Sequence, residues 1–234
     1  MKFKNEIWAF IPARAGSKSI INKNIKLVKK KPLLAHTLIF SDKIKRFKKV
    51  IFSSDSSKYI KIAKKFSKCN THLRPKKYAK DNSTDLEVFK DFIKFSIKNK
   101  NTLPEYFAHM RPTTPLRNKK LIEKAIKIFL TNKNKYSSMR SVSKMSNPSY
   151  KTFTIRKNKL CSLFGNNHNL DEYNKPKELF STTYLPNGYI DIIKTKNVIN
   201  NKLHGNKVLP FIINKNVIEI DSKIELQLLN KKQK

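Results

Sequence analysis

The chain has 234 residues, which suits one α/β domain able to bury its own core without disulfide or metal staples. Its 52 lysines and arginines face 16 acidic residues, a net charge of +36 at pH 7, supplied almost wholly by lysine and spread along the whole chain. A dedicated nucleic-acid binder gathers such charge on one face among arginines and aromatics, so no specific nucleic-acid partner is expected, only unselective attraction to polyanions at low salt.

Met1–Glu6 carries neither the apolar stretch nor the cleavage site of a signal peptide. Ile7–Ile11 is a short apolar run and reads as a buried strand. It leads into Pro12-Ala13-Arg14-Ala15-Gly16-Ser17-Lys18, a turn with two cations, and Lys23 and Asn24 follow. Pro32–Phe40 reads as a helix with its proline in the first turn. Val50–Ser53 is a second buried strand, and Ser54–Ser57 turns into and caps a helix through Phe66. Thr71–Arg74 is a short extended piece. Ser83 or Thr84 caps a helix whose Val88, Phe89, Phe92, Ile93 and Phe95 form a buried stripe. Tyr106–His109 is a strand that ends in the loop Met110–Arg117. A helix over Leu121–Leu130 presents Leu121, Ala125, Ile128 and Phe129, and Tyr136–Val142 is another strand.

From about residue 143 to 185 the alternation weakens. Pro148, Pro176 and a hairpin-like run (Tyr150–Ile155, Leu160–Phe164) mark an excursion from the sheet. Val217–Ile220 predicts the last strand, and Ser222 with Glu225 forms a capping box for a short C-terminal helix. Cys69 and Cys161 have no metal-ligand spacing, which fits a reduced, cytoplasmic setting. No segment approaches the ~20 apolar residues of a membrane span, so no membrane partner is expected.

Strands alternating with helices predict one α/β domain over residues 1–234, a mostly parallel sheet covered on both faces. Such sheets bind ligands at the carboxyl ends of their strands. Backbone N–H groups around Gly16 and Ser17, with Arg14, Lys18 and Lys23, suit a polyphosphate. The loop is not a Walker loop, because no Gly-Lys-Ser/Thr follows a distant glycine. Nor is it a dinucleotide fingerprint, because Gly16 stands alone. The five histidines are scattered and no Ser/His/Asp-like set stands out.

Four separated segments together resemble the CMP-sialic acid synthetases (acylneuraminate cytidylyltransferases). They are Ile11–Lys18 with Lys23-Asn24; Leu73-Arg74-Pro75 with Asp81–Asp85; Arg111-Pro-Thr-Thr-Pro-Leu-Arg117; and Pro186-Asn187-Gly188 with Glu219-Ile220-Asp221. The resemblance implies a three-layer, Rossmann-like nucleotidyltransferase fold and a homodimer, with the excursion reaching over the partner's active site. It implies that CTP and a nonulosonic acid give a CMP-sugar and pyrophosphate with Mg²⁺ as cofactor. Catalytic Arg14, Lys18 and Lys23, with Ala13, Gly16 and Ser17, then match the triphosphate loop. Asn24 and Arg74 match cytidine contacts, Arg111, Arg117 and Asn187 the sugar site, and Glu219 and Asp221 the metal site. On a strand, Glu219 and Asp221 at i and i+2 share one side.

Three positions depart from the family pattern. Arg111 stands where many relatives carry Gln, Asp191 where Tyr is often found, and Glu219 where Asp is usual. An arginine at 111 offers a planar fork to the substrate carboxylate. Two alternatives remain at this level. One is a cytidylyltransferase for an eight-carbon 2-keto-3-deoxy sugar acid, whose enzymes typically carry Ser-Thr-Arg where this chain has Ser17-Lys18-Ser19. The other is a basic nucleic-acid-binding protein on an inherited α/β scaffold.

Overall fold

The computed structural model describes residues 3–164 and 170–231; residues 1–2, 165–169 of the excursion and 232–234 lie outside that range. In chain order the strands and helices begin with β1 (Lys4–Pro12), a two-residue ribbon β2 (Leu27–Val28) and β3 (Lys31–Pro32), and α1 (Leu33–Asp42). Next come β4 (Phe47–Ser54), α2 (Ser57–Phe66), β5 (Asn70–Leu73), α3 (Asp85–Lys98), β6 (Pro104–His109) and α4 (Lys119–Asn132). The remainder is β7 (Ser138–Lys144), the hairpin β8 (Phe153–Arg156) and β9 (Lys159–Ser162), β10 (Tyr184–Lys194), α5 (Thr195–Ile199), β11 (Val208–Ile212) and α6 (Lys223–Lys231).

Seven strands form one sheet in the order β11-β7-β10-β6-β1-β4-β5. β1 pairs in parallel with β4 and β6, β4 with β5, and β7 with β11. Only β10 runs against its neighbours β6 and β7. The apolar run of β1 serves both faces, because successive side chains alternate. Ile7, Ala9 and Ile11 enter the core shared with Leu34, Leu38, Tyr59, Ile126 and Phe129 of α1, α2 and α4. Trp8 and Phe10 enter the opposite core with Val88, Phe89, Phe92 and Ile93 of α3 and Val198 of α5. Phe10 sits at the centre of an aromatic group, with ring centroids 4.3 Å from Phe89, 5.2 Å from Phe92 and 5.9 Å from Phe107.

Local signals fixed most of the helices. Thr84 and Glu87 form a reciprocal capping box that starts α3, and Ser56 accepts from the Tyr59 N–H to start α2. The buried face of α4 is Ile122, Ala125, Ile126 and Phe129; Leu121 and Ile128 lie at its margin. Phe95 is not part of the α3 stripe: it is 41% exposed and leans on the His72 ring at 4.8 Å.

The excursion leaves after β7 and returns into β10, closed at its base by the Met145 N–H donating to the Thr183 carbonyl at 2.9 Å. Its hairpin is β8 and β9; Tyr150 lies before it in a 3₁₀ turn and packs on Phe164 and Phe180. Ile155, Leu160, Leu163, Leu179 and Leu185 leave apolar surface exposed around it.

The end of the sheet corrects the sequence reading. Val217–Ile220 is not a strand. The last strand is β11, an edge strand that tolerates Pro210 because one side has no ladder to feed. Residues 217–220 pair with no strand. They cross the sheet's end instead, and the Ile220 N–H donates to the Thr113 carbonyl at 2.8 Å.

β10 is irregular against β7, with its register broken between Pro186 and Asp191. Gly188 lies in the break at φ +63°. A Cβ there would stand 2.8 Å from both Glu219 Oε1 and Thr114 Oγ1. Gly188→Ala combines left-handed strain with that crowding, so a loss of about 2 kcal/mol is expected. Thermal unfolding should show a melting temperature lower by roughly 4–8 °C for a chain of this size.

Two histidines are buried in the sheet. His72 on β5 accepts or donates with Ser53 Oγ at 3.1 Å, and His109 ends β6 with no exposure. Burial, helped by Arg74 at His72 and Arg111 at His109, lowers both to about 4 from 6.5. Both are therefore neutral in the folded chain, while the unfolded chain takes up protons below its ordinary histidine pKa. The stability they contribute is complete above pH about 6.5 and is lost as pH falls toward 4. The loss is on the order of several kcal/mol. Melting curves at pH 7, 6 and 5 should shift steadily downward, and a flat profile over that range would contradict the assignment.

Candidate active site

The loop after β1 is stitched to the end of β4. The Ala13 N–H donates to the Ser53 carbonyl at 2.9 Å, and the Ala15 N–H to Asp55 Oδ1 at 2.9 Å. Gly16 turns at φ +73° with open space where a side chain would stand, so backbone conformation is what requires glycine there. The Ser17 hydroxyl lies 3.5 Å from that of Ser19. Asn24 is buried, and its Nδ2 donates to the Arg14 carbonyl at 3.0 Å, fixing the loop's return. Ala13 is buried beneath it.

Each cation of this loop has an acidic partner from another element. Arg14 Nη1 and Lys18 Nζ hold the two oxygens of Asp81 at 2.8 and 2.6 Å. Their hydrogen bonds keep that carboxyl below its usual range, Lys18 first and Arg14 second. Lys23 is 9% exposed and meets Asp221 at 2.8 Å. Arg74 follows β5 and is 4% exposed; its Nε has no hydrogen-bond partner among the described residues. Burial pulls its pKa down, against the pull of Asp55, Asp91 and Asp85.

The loop after β6 carries the second set. Arg111 Nη1 donates to Asp191 Oδ2 at 2.9 Å and Nη2 to Asp85 Oδ2 at 2.8 Å, so this fork already holds two carboxylates of the chain. Arg117 is turned inward. It donates to the carbonyls of Tyr189 at 2.8 Å, Arg111 at 2.8 Å, Gly188 at 3.1 Å and Thr114, and to Thr37 Oγ1 at 2.9 Å. Full burial lowers its pKa to about 9. Asn187 is buried as well: its Nδ2 donates to Ser143 Oγ at 2.9 Å and its Oδ1 accepts from the Tyr189 N–H at 3.2 Å. Arg117 and Asn187 thus shape the floor from behind.

These loops enclose an open cleft of about 530 Å³ at the carboxyl ends of β1, β5 and β6. Arg14, Ser17, Lys18, Lys23, Asn24, Arg74 and Arg111 line it, bringing seven of the anticipated residues together. Arg117, Asn187, Ala13 and Gly16 lie outside its lining. Asp221 reaches the cleft through Lys23. Glu219 stands beside Thr113, whose hydroxyl lies 3.3 Å from Glu219 Oε1. Burial, and Asp221 next, push the Glu219 carboxyl up. Ser222 and Glu225 form the expected cap, with the Ser222 N–H donating to Glu225 Oε2 at 2.7 Å and the Glu225 N–H to Ser222 Oγ at 3.3 Å.

Sequence reasoning gave no role to Asp81, Asp85, His109 or Thr113, all of which line the cleft. Asp81 and Asp85 lie inside a matched segment, and His109 is the last strand residue before a matched loop; those placements were the available signal. Ser53, His72 and Asp91 also lie in line, at 3.1 and 3.3 Å. Ser53 and His72 are sealed in the core at 0% and 1% exposure, so the row is a structural contact and no substrate reaches it.

The family model for cytidylyltransferases matches residues 8–193. The chain is 33% identical over 227 residues to an N-acylneuraminate cytidylyltransferase of Escherichia coli O18:K1:H7, covering 96% of this chain and 51% of that protein. It is 29% identical to a CMP-N,N'-diacetyllegionaminic acid synthase of Legionella pneumophila, covering 96% of this chain and 95% of that protein. The chain therefore spans about half the length of the first relative and nearly all of the second. Among solved structures, a CMP:2-keto-3-deoxy-manno-octonic acid synthetase complexed with CTP superposes with a TM-score of 0.69 at 11% identity, covering 97% of each chain. A 4-diphosphocytidyl-2C-methyl-D-erythritol synthase from Anaerococcus prevotii gives 0.62 at 14%, also covering 97% of each chain. These last two establish the fold alone. With its sheet, its strand-end cleft and a match over residues 8–193, the chain belongs to the cytidylyltransferase family, alongside the CMP-sialic acid synthetases.

Proposed function

We propose that the chain transfers a cytidylyl group from CTP to a nonulosonic acid, releasing pyrophosphate. The observation that carries this is the cleft of about 530 Å³ at the strand ends, with Arg14, Lys18, Lys23 and Arg74 along one side. The anomeric hydroxyl of the sugar acid attacks the α-phosphorus; one P–O bond forms as the bond to the leaving pyrophosphate breaks. No protein nucleophile is needed, and catalysis is positioning and charge neutralisation. Arg14, Lys18 and Lys23 meet the triphosphate, and backbone N–H groups around Gly16 and Ser17 complete the cradle. Arg74, buried with an unpartnered Nε, and Asn24 close the cytidine end.

The residues fit a divalent cation. Mg²⁺ is commonly held by one or two carboxylates together with substrate phosphates. Burial and then the charge of Asp221 raise the proton affinity of Glu219, and a cation beside the two carboxylates would relieve that repulsion. Glu219 and Asp221 would hold it. When bound it would supply charge neutralisation to the triphosphate. The excursion's exposed Ile155, Leu160 and Leu179 support a homodimer built on that segment. A cytoplasmic setting is part of the same reading.

Pyrophosphate release tests the assignment. CTP should strongly outcompete UTP and ATP with a panel of nonulosonic and eight-carbon acids; equal release from every nucleotide would sink it. Arg14→Ala should cost roughly 100-fold or more in turnover, as loss of one preorganised electrostatic contact does. The same change at exposed Lys61 should do little, and equal losses at both would show that only overall charge matters. Asp221 is 64% exposed. Asp221→Asn should therefore leave the melting temperature nearly unchanged while abolishing Mg²⁺-dependent turnover. Retention of most activity at saturating Mg²⁺ would refute the metal site.

A further inference from the structure

Two cores flank the sheet, and a third, smaller one lies beside the loop after β1. Ile20 and Val28 enter it from either side of Lys23 and Asn24, and Leu33, Ile220 and Leu229 complete it. The chain between those two anchors leads into a demanding conformation. Leu27–Val28 and Lys31–Pro32 pair around a two-residue turn, and both turn residues are left-handed, Lys29 at φ +45° and Lys30 at φ +64°. Such a turn favours Asn-Gly, and lysine lacks the short polar side chain that offsets its strain. Non-glycine residues stay in that region only where their surroundings over-determine them. Here two side chains grip the ribbon. His36 Nε2 on α1 donates to the Val28 carbonyl at 2.7 Å. Asn230 of α6 uses both ends of its amide: Oδ1 accepts from the Lys29 N–H at 3.0 Å, and Nδ2 donates to the Leu27 carbonyl at 3.2 Å. The other end of α6 begins just after Asp221, which holds Lys23 at 2.8 Å. The C-terminal helix thus runs from the cleft lysine to the strained turn.

We propose that α6 is a positioning strap for the nucleotide: through Leu229 and Asn230 it imposes the strained ribbon, and the ribbon sets where Lys23 and Asn24 stand in the cleft. This deepens the cytidylyltransferase reading and rests on it. Lys23 and Asn24 belong to the 3₁₀ turn Lys23–Ile25, and the Leu33 N–H donates to the Lys26 carbonyl at 2.9 Å, closing the ribbon's base directly behind that turn. Both residues line the cleft, whereas Leu229 and Asn230 do not, so the helix acts only through them. Without the clamp Lys29 and Lys30 relax toward negative φ, residues 23–28 are re-aimed, and nucleotide binding weakens. The loop after β6 is held by Arg117 independently of α6, so a sugar acid lying against that loop does not feel the strap. The coupling is reciprocal: a nucleotide that fixes Lys23 also secures α6.

The probes are CTP and whichever of N-acetylneuraminic, legionaminic and pseudaminic acid turns over fastest. Asn230 is exposed, so Asn230→Ala spares the core. It should raise the CTP KM about 10-fold, the scale of two lost neutral hydrogen bonds, while kcat and the sugar KM stay within about twofold. Lys29→Asn with Lys30→Gly supplies residues that adopt this turn unaided. Alone, that pair should leave the CTP KM within about twofold of wild type; combined with Asn230→Ala, it should recover most of the loss. A combined variant whose melting temperature recovers while its CTP KM stays high would show that the clamp serves stability only, and would overturn the proposal. Equal rises in both KM values for Asn230→Ala would do the same. Apart from turnover, saturating CTP alone should slow amide hydrogen exchange across α6, and the sugar acid alone should not; unchanged exchange would overturn the coupling. Wild-type protein that releases no pyrophosphate from CTP with any sugar acid would overturn the underlying activity and this inference with it; active wild type with an unmoved CTP KM in Asn230→Ala would overturn the inference alone.

Discussion

Arg117 is the constraint on which the cleft depends. Its guanidinium is buried and its hydrogen bonds go to no carboxylate; they go to four carbonyls and a threonine. A buried cation with no carboxylate in hydrogen-bond contact is costly, and its pKa, lowered by burial to about 9, records that cost. The acceptors explain why it is kept. They come from the loop after β6, from the irregular stretch of β10 and from α1, three segments far apart in sequence. One rigid planar donor set ties all three to a single centre. Arg111 and Thr113 lead off that loop into the cleft, so the position of this side of the cleft is set from below by a residue that does not line it.

That division between facing and supporting residues marks the limit of what the sequence makes legible. Periodicity and caps sufficed for the layers: the β1 run, the Thr84–Glu87 box and the apolar face of α4 are local signals that tertiary packing then followed. Arg14, Lys18, Lys23 and Arg74 were legible because a loop at a strand's carboxyl end has little choice about where it lies. Arg117 and Asn187 were not, because a loop arginine or asparagine carries no mark of whether it turns to solvent or core. β11 hid behind Pro210, while the apolar alternation of Val217–Ile220 imitated a strand but lies across the strand ends, bonded to Thr113.

Two departures from the family pattern looked unrelated in the sequence. Arg111 and Asp191 are 80 residues apart, yet they touch at 2.9 Å. An arginine alone behind that cleft would be a free cation, and an aspartate alone a buried anion; either by itself is expensive. Together they neutralise each other, and Asp85 takes the second face of the fork. The pairing converts two odd substitutions into one physical unit, a conclusion that only the register of β10 against β6 and β7 makes available.

The net charge of +36 conceals a cleft in which cations are individually restrained. Asp81 holds Arg14 and Lys18, and Asp221 holds Lys23. The Asp81 pairs are solvent-accessible, with side chains 34–81% exposed, and exposed ion pairs are weak. An incoming triphosphate carries more charge than one carboxylate and can take over both donors at small cost. Lys23 is different, since it is nearly buried while its partner is not. A phosphate that recruits Lys23 leaves Asp221 free beside Glu219. Freed carboxylates repel unless a cation joins them, so in the proposed reaction nucleotide entry and metal binding would be coupled through one lysine.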